Sequence, residues 1–122
     1  MILIREFKFD AAHYLAEYHG KCEKLHGHTY KLVVKLEGTP DHEGMIMDFV
    51  ELKKIVEDHV LQYLDHACIN DFIGQPSAEN IAKWVWEKLY PVFQKKENCR
   101  LYEIEVWETQ SCGVAYRGDL DC

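Results

Sequence analysis

The sequence predicts an α+β domain in which an antiparallel sheet of four strands carries two helices on one face. Two alternating segments open the chain, two segments with helical spacing occupy its middle, and two further alternating segments follow them. Strands grouped before and after a pair of helices are typical of an antiparallel sheet with the helices on one side. A chain of 122 residues, 48% of them hydrophobic, predicts one domain over residues 1–122.

The first strand is predicted over residues 2–13 and the second over residues 26–37, because apolar side chains alternate along both. Alternate residues of a strand share one face and lie about 7 Å apart at their Cα atoms, so His26 and His28 can bind one metal ion. His13 has the parity of the apolar residues of the first strand and can supply a third ligand. Three imidazoles without a fourth protein ligand leave an open coordination position, which is typical of catalytic zinc.

A polar connection, residues 14–25, joins these strands and contains Cys22. It is longer than a hairpin turn requires, and long polar connections often carry function. A thiol beside a divalent cation can be a thiolate at neutral pH, so Cys22 is a candidate base or nucleophile. The alternative is that Cys22 is only a small residue of a surface loop.

Two helices are predicted between the second strand and the third. The first covers residues 49–63, with Asp48 as its N-cap. The second opens at Pro76-Ser77 and ends at Pro91, because proline disfavours the interior of a helix. The apolar stripe of the first helix contains Phe49, Leu52, Val56, Val60 and Tyr63, and that of the second contains Ala78, Ile81, Ala82, Val85 and Leu89.

Asp65-His66, directly after the first helix, is a candidate pair for proton transfer. A carboxylate beside an imidazole orients the ring and raises its basicity. Adjacent acidic and histidine residues are also common on protein surfaces, so a solvated pair is the alternative.

The last two strands are predicted over residues 101–108 and 113–117. Glu103 and Glu105 belong to the polar face of the first of these strands, whereas Glu108 is in phase with its apolar residues. A carboxylate on a core face costs several kcal/mol unless it meets a cation, a metal ion or matched N–H donors. The alternative is that the strand ends before Glu108 and leaves its carboxylate solvated.

The net charge limits the kinds of partner that the chain can bind. Lys and Arg number 14 against 21 Asp and Glu, and the resulting net charge of −7 argues against a nucleic acid or an anionic membrane as partner. No apolar run reaches the length of a membrane span, and the first residues predict a strand instead of a signal peptide, so we expect a cytoplasmic protein. Five cysteines without a Cys-x-x-Cys pair predict neither a disulfide framework nor a zinc ribbon.

Several motifs together resemble, in order and spacing, the 6-pyruvoyl-tetrahydropterin synthase family. The resemblance covers nearly the whole chain. The three residues between Cys22 and the His-Gly-His motif are similar to those of its 6-carboxy-5,6,7,8-tetrahydropterin synthase branch, which serves queuosine biosynthesis. The motifs are Phe9-Asp10-Ala11-Ala12-His13, Cys22-Glu23-Lys24-Leu25-His26-Gly27-His28, Leu64-Asp65-His66, Pro76-Ser77-Ala78-Glu79-Asn80 and Trp107-Glu108-Thr109.

The resemblance implies the tunnelling fold, in which trimers close a barrel of strands and two trimers stack into a homohexamer. Independently, four strands in a lone chain leave two open edges, which association into a closed barrel would cover. The resemblance also implies that the active sites lie at subunit interfaces. The subunit number does not follow from the residues themselves.

The resemblance further assigns a role to each candidate residue. It implies that His13, His26 and His28 bind zinc and that Cys22 is the proton acceptor. It implies a second acid/base element, Asp65 and His66, which reaches the site from a neighbouring subunit. It also implies pterin binding at Glu108-Thr109, with Glu108 as the anchor.

The implied reaction converts 7,8-dihydroneopterin triphosphate and water into 6-carboxy-5,6,7,8-tetrahydropterin, acetaldehyde and triphosphate. Lys21, Lys24 and Arg117 are candidates for binding the triphosphate. One alternative is formation of 6-pyruvoyl-tetrahydropterin. Another is a non-catalytic zinc-binding assembly module, although such a module needs neither an inward carboxylate nor an acid/base pair.

Overall fold

The computed structural model describes residues 1–118 and contains one mixed sheet. The strands lie in the order β3-β1-β2-β4-β5. All neighbouring strands are antiparallel except β1 and β3. The strands are β1 (Ile2–His13), β2 (His26–Gly38), β3 (Ala67–Cys68), β4 (Cys99–Trp107) and β5 (Gly113–Tyr116).

The predicted α+β class is confirmed, but the sheet has five strands and not four. The additional strand, β3, contains only Ala67 and Cys68 and pairs in parallel with Ala11 and Ala12. Two residues are too few to produce an alternating pattern in the sequence. The other strand boundaries differ from the predicted ones by at most two residues.

The first helix is regular only at its start. It consists of α1 (Phe49–Val56), a π-helical segment (Glu57–Leu61) and α2 (Gln62–Leu64). Its fully buried residues recur at every fourth position: Leu52, Val56, Val60 and Leu64. Four residues overshoot one α-helical turn by about 40°, and the wider π turn cancels that drift. The predicted stripe was wrong at both ends, because Phe49 and Tyr63 are exposed.

The second long helix, α3 (Ala78–Gln94), begins at its predicted cap but continues past Pro91. Ser77 accepts a hydrogen bond from the Asn80 N–H, as an N-cap residue does. The predicted end at Pro91 was wrong. Pro91 is exposed, so water can reach the carbonyl that proline leaves unpaired, and the fully buried Phe93 anchors the last turn.

Both helices pack on the same face of the sheet and form the core with it. The opposite face carries charged residues, of which Glu103 is only 4% exposed. Lys35 and Arg117 cover this carboxylate, with nitrogen–oxygen distances of 2.8 Å each. Although burial opposes ionisation, the two cations lower the pKa of Glu103 to about 2.

In the part of the chain that the structure describes, no helix is long and apolar enough to cross a membrane.

Candidate metal and catalytic site

The three predicted metal ligands meet at one end of the sheet. His13 and His26 are direct partners in the register of β1 and β2, and His28 lies opposite Ala11. One nitrogen from each imidazole lies within 4.8 Å of the other two. The ring centroids are 4.7 to 5.1 Å apart. The antiparallel register therefore builds the histidine cluster from only two strands.

Main-chain carbonyls fix the orientation of two of the rings. The Nδ1 atom of His13 lies 2.8 Å from the Pro76 carbonyl oxygen, and that of His26 lies 2.8 Å from the Lys24 carbonyl oxygen. A carbonyl can only accept, so both Nδ1 atoms carry a proton, and in the neutral form of each ring the Nε2 atom offers the lone pair. These Nε2 atoms are 3.2 Å apart. The donor set fits a cation that takes neutral imidazoles.

His28 is the third imidazole of this set, and its surroundings favour the neutral form. Burial lowers the pKa of His28, and the neighbouring imidazoles of His13 and His26 lower it further, while the Glu108 carboxylate opposes them. A histidine binds a metal ion through an unprotonated ring nitrogen. The environment of the cluster thus favours the neutral form of the His28 ring, which can bind a metal ion.

Tyr30 forms the floor beneath the histidines. Its ring meets His13 and His28 edge to face, with centroids 5.8 and 5.5 Å away, and stacks on Phe9 at 4.9 Å. The Tyr30 hydroxyl is buried without a hydrogen-bond partner among the described residues. Burial raises the pKa of Tyr30, so the side chain is a neutral phenol.

Glu108 points at the cluster, although β4 ends one residue before it. Its Oε1 atom lies 3.2 Å from the His13 Nε2 and 3.6 Å from the His28 Nε2. The Glu108 N–H donates to the Cys112 carbonyl, which closes the turn that follows the strand. The predicted inward carboxylate is therefore present, although the strand ends before Glu108, as the alternative expected, and the Glu108 side chain is 31% exposed.

Cys22 lies in a small hairpin that the sequence did not predict. Tyr18 and Lys21 exchange two backbone hydrogen bonds of 2.7 and 3.0 Å around a two-residue turn. The turn residues, His19 and Gly20, have φ values of 52° and 79°, as a type I′ turn requires. Cys22 follows the closing pair directly, and its thiol is exposed.

Glu23 is a site residue that the sequence analysis missed. Its Oε1 atom accepts the Leu15 N–H at 3.0 Å and lies 3.9 Å from the His26 Nδ1. Its own N–H donates to the Leu15 carbonyl at 2.8 Å. The only signal in the sequence was its position between Cys22 and the His-Gly-His motif. Glu23 therefore attaches the returning arm of the hairpin to the residues that follow β1.

Asp65 and His66 contact each other, as predicted. The Asp65 Oδ1 lies 3.1 Å from the His66 Nδ1 and accepts the Asp10 N–H at 3.1 Å. The His66 N–H donates to the Asp10 carbonyl at 2.6 Å, and His66 has a positive φ of 61°. Such strain in a residue other than glycine often accompanies function.

The pair does not touch the histidine cluster within this chain. The His66 side chain is 78% exposed. Among residues 1–118, no hydrogen bond or ion pair joins Asp65 or His66 to the three clustered histidines. An open cleft of about 640 Å³ nevertheless contains His66 and His28 in its lining, together with Asp10, Thr29 and Cys68.

The remaining candidates have other surroundings. The Thr109 hydroxyl accepts the Ser111 and Cys112 N–H groups at 3.3 and 3.1 Å, which leaves its own proton available. Lys21 and Lys24 are exposed in the segment around Cys22. Arg117 instead pairs with Glu103. It follows β5, the strand that leads away from the turn beside Glu108.

Comparison with known proteins agrees with this fold. The family model for 6-pyruvoyl tetrahydropterin synthase matches residues 2–119. A protein from Synechocystis sp. named 6-carboxy-5,6,7,8-tetrahydropterin synthase is 37% identical, over 94% of this chain and 92% of its own. A protein from Pyrococcus furiosus named dihydroneopterin monophosphate aldolase is 38% identical, over 92% of this chain and 93% of its own.

The solved structures give the same result. The 6-pyruvoyl tetrahydropterin synthase of Caenorhabditis elegans superimposes with a TM-score of 0.84 at 31% identity, over 98% of this chain and 96% of its own. The resemblance, the tunnelling fold of the subunit and the prediction of an enzyme are confirmed by these matches. The chain belongs to the 6-pyruvoyl tetrahydropterin synthase family.

Proposed function

We propose that this protein is a zinc-dependent lyase that converts 7,8-dihydroneopterin triphosphate and water into 6-carboxy-5,6,7,8-tetrahydropterin, acetaldehyde and triphosphate for queuosine biosynthesis. The observation that carries the proposal is the convergence of three imidazoles beside an inward carboxylate. The Synechocystis relative, whose name is that of this synthase, supports the choice of reaction. We further propose that the enzyme works in the cytoplasm as a homohexamer built from two trimers.

His13, His26 and His28 are the proposed zinc ligands. Zinc, when bound, polarises the side-chain oxygens of the substrate and makes their protons more acidic. The carbonyls of Pro76 and Lys24 support this role, because they hold the rings of His13 and His26 with the Nε2 atoms free. No fourth protein ligand is required, so a position remains for the substrate.

Cys22 is the proposed proton acceptor. Its thiol is exposed at the end of a closed hairpin, four residues before His26. A thiolate at this point can take a proton from a side-chain carbon of the pterin. The thiol that forms can return the proton at a neighbouring atom.

Asp65 and His66 are the proposed second acid/base pair. The Asp65 Oδ1 lies 3.1 Å from the His66 Nδ1, where its charge can stabilise a proton on the ring, so the His66 Nε2 is free to take or donate a proton. Two proton carriers with different positions can move hydrogen from the side chain to the ring and then assist carbon–carbon cleavage. We propose that the pair acts at the cluster of a neighbouring subunit, since its side chains are exposed.

Glu108 and Thr109 are the proposed pterin-binding residues. A carboxylate matches the adjacent N–H groups at the guanidine-like edge of a pterin, which would anchor the ring in one orientation. The hydroxyl of Thr109 retains a proton that it can donate to the same ring. The anchor and the metal ligands are close enough to fix the substrate side chain against the cluster.

The decisive experiment is product analysis with the zinc-loaded protein and 7,8-dihydroneopterin triphosphate. We expect 6-carboxy-5,6,7,8-tetrahydropterin by mass spectrometry and one acetaldehyde for each triphosphate released. Formation of 6-pyruvoyl-tetrahydropterin without acetaldehyde would favour the alternative synthase activity. Cleavage of dihydroneopterin monophosphate alone would favour the aldolase activity named for the Pyrococcus relative.

A protein that binds zinc but transforms none of these pterins would contradict the proposal and favour the assembly module. Cys22→Ala protein purified by the same procedure is the control, because it should carry the same contaminants and the same histidine cluster.

A further inference from the structure

Two side-chain amides hold the segment between His13 and Cys22. The Asn70 Oδ1 accepts the Tyr14 N–H at 2.9 Å, and its Nδ2 donates to the Tyr14 carbonyl at 2.8 Å. The Gln75 Oε1 accepts the Glu17 N–H at 2.9 Å, and its Nε2 donates to the Glu17 carbonyl at 2.8 Å. Each amide thus takes the place of a peptide group on a neighbouring strand. We call these two side chains the amide clamps.

The clamps act on the outgoing arm of the hairpin that carries Cys22. Tyr18 at the end of this arm pairs with Lys21, and Leu15 within it pairs with Glu23. Cys22 lies between Lys21 and Glu23, the two residues of the returning arm that form these pairs. Its position therefore follows from the position of the outgoing arm.

The segment that contains Gln75 also holds His13, one of the proposed metal ligands. The carbonyl of Pro76, next to Gln75, accepts from the His13 ring. The Gln75 carbonyl in turn accepts the Ser77 N–H and the Asn80 Nδ2, both at 2.9 Å, which fixes this turn at the start of α3. One short segment thus sets the orientation of His13 and the path of the arm that leads to Cys22.

We infer that Asn70 and Gln75 are positioning residues that set the distance between the Cys22 thiol and the histidine cluster. The inference rests on the proposed function of Cys22 as proton acceptor. Among residues 1–118, no hydrogen bond joins either amide to the clustered histidines. Their loss should therefore move the thiol and leave the metal ligands in place.

The variants Asn70→Leu and Gln75→Met test this inference, because each removes the two hydrogen bonds of a clamp at similar side-chain volume; Asn70→Leu also removes a 3.9 Å bond from the Cys68 thiol. The matched control is Asn98→Leu. The Asn98 amide donates to the Thr39 and Ile46 carbonyls at 3.1 and 2.9 Å and lies next to Cys99, at the opposite end of β4 from Glu108. Asn98→Leu therefore measures how much the loss of two hydrogen bonds far from the site changes kcat.

For both clamp variants we expect one zinc per chain, KM within about twofold of wild type and kcat lower by about ten- to a hundredfold. Asn98→Leu should keep kcat within about twofold. A clamp variant with normal kcat would overturn the inference. Loss of zinc together with kcat would also overturn it, because the amides would then support the ligands and not the thiol.

Hydrogen exchange gives a readout that needs no substrate. Protection of the Tyr18 and Lys21 N–H groups should fall in Asn70→Leu but not in Asn98→Leu, while protection in the core strands stays equal. Unchanged hairpin protection would contradict the inference. If the hairpin loosens but the wild-type protein transforms no pterin, the clamps are real and the proposed function is wrong.

Should Asn70→Leu fail to fold, Asn70→Asp serves instead. It keeps the acceptor for the Tyr14 N–H but places a carboxylate oxygen against the Tyr14 carbonyl, so one bond of the clamp is lost. We expect a smaller decrease of kcat in the same direction. Equal activity of Asn70→Asp and wild type would again overturn the inference.

Discussion

The histidine cluster and the proton-transfer groups differ in how far one chain completes them. The His13 side chain is 2% exposed, the rings of His13 and His26 are held by main-chain carbonyls, and Tyr30 closes the floor. Cys22 and the Asp65-His66 pair are exposed instead. A metal site can therefore be formed within one subunit, whereas the exposed groups are available to a second one.

The two groups should therefore respond differently to substitution. Changes in the cluster should remove the metal from every subunit. Changes in the exposed groups should leave the metal in place and should be complemented by an intact neighbour.

The largest effect is expected for His28→Ala. Removal of one of three ligands should abolish stoichiometric zinc binding and reduce turnover to background, while the fold persists, because the Nε2 atoms converge from paired strands. Metal analysis after gel filtration and a product assay measure both. His42→Ala, at an exposed histidine outside the cluster, is the control. Stoichiometric zinc and a normal rate in His28→Ala would show that the metal site lies elsewhere.

Cys22→Ala should lower kcat by about two to four orders of magnitude, the usual contribution of a positioned acid or base. Zinc content should be unchanged, because Cys22 is not among the clustered ligands. Cys112→Ala, another exposed cysteine, should keep wild-type activity. Loss of zinc from Cys22→Ala would make the thiol a ligand and would overturn its proposed role.

A mixture of Cys22→Ala and His66→Ala should recover part of the activity that each has lost. Once subunits exchange by unfolding and refolding together, some sites combine an intact Cys22 of one chain with an intact His66 of another. Activity is compared with that of each parent treated alone. If exchange is demonstrated by mass spectrometry and activity stays at the parental level, each chain builds its own site and the division described above fails.

Glu103→Gln should destabilise the sheet that carries the cluster by about 2 kcal/mol at pH 7, with the partial exposure of Lys35 and Arg117 reducing the effect. The pKa of Glu103 is lowered to about 2 from an ordinary value of 4.5. Its contribution should therefore be complete above about pH 4.5 and decrease as the pH falls toward 2.

Urea unfolding of wild type and Glu103→Gln at pH 7 and pH 3 measures this contribution. The difference between the two proteins should shrink at the lower pH. Glu6→Gln, which loses only an exposed 3.9 Å contact with Lys31, should change the free energy of unfolding by less than about 0.5 kcal/mol. A difference between wild type and Glu103→Gln that grows on acidification would contradict the assignment.

The smallest effect is expected for Tyr30→Phe. Its hydroxyl is buried without a partner, so its removal should change stability by less than about 0.5 kcal/mol or increase it slightly. Ring contacts with the histidines persist in phenylalanine, and zinc content should stay at wild-type level. Thermal unfolding and metal analysis check this result. A clear loss of either would mean that the hydroxyl acquires a partner when the site is filled.

The strand pairing and the histidine cluster could be predicted because they depend on alternation, a property of neighbouring residues. His26 and His28 share a face in any strand, and the apolar parity of β1 extends to His13. Glu108 was recognisable for the same reason. These features require no knowledge of distant contacts.

What the sequence did not reveal depends on contacts across the fold. β3 exists only through its register with β1, and the amide clamps join residues more than fifty positions apart. Glu103 was expected on a polar face, but Lys35 and Arg117 bury it there. Pro91 remains helical because Phe93 docks in the core. A periodic pattern of neighbouring residues does not indicate such contacts between distant parts of the chain.

The π-helical segment Glu57–Leu61 has a consequence for how this chain can change in length. A π turn corresponds to one residue inserted into an α-helix, and one residue in an α-helix is a rotation of about 100°. Removing that residue would rotate everything after it, so Leu64 and the Asp65-His66 corner could not both keep their places against the core and against Asp10. The segment thus sets the angle between the start of the helix and the corner, so a deletion of one residue here should displace the corner.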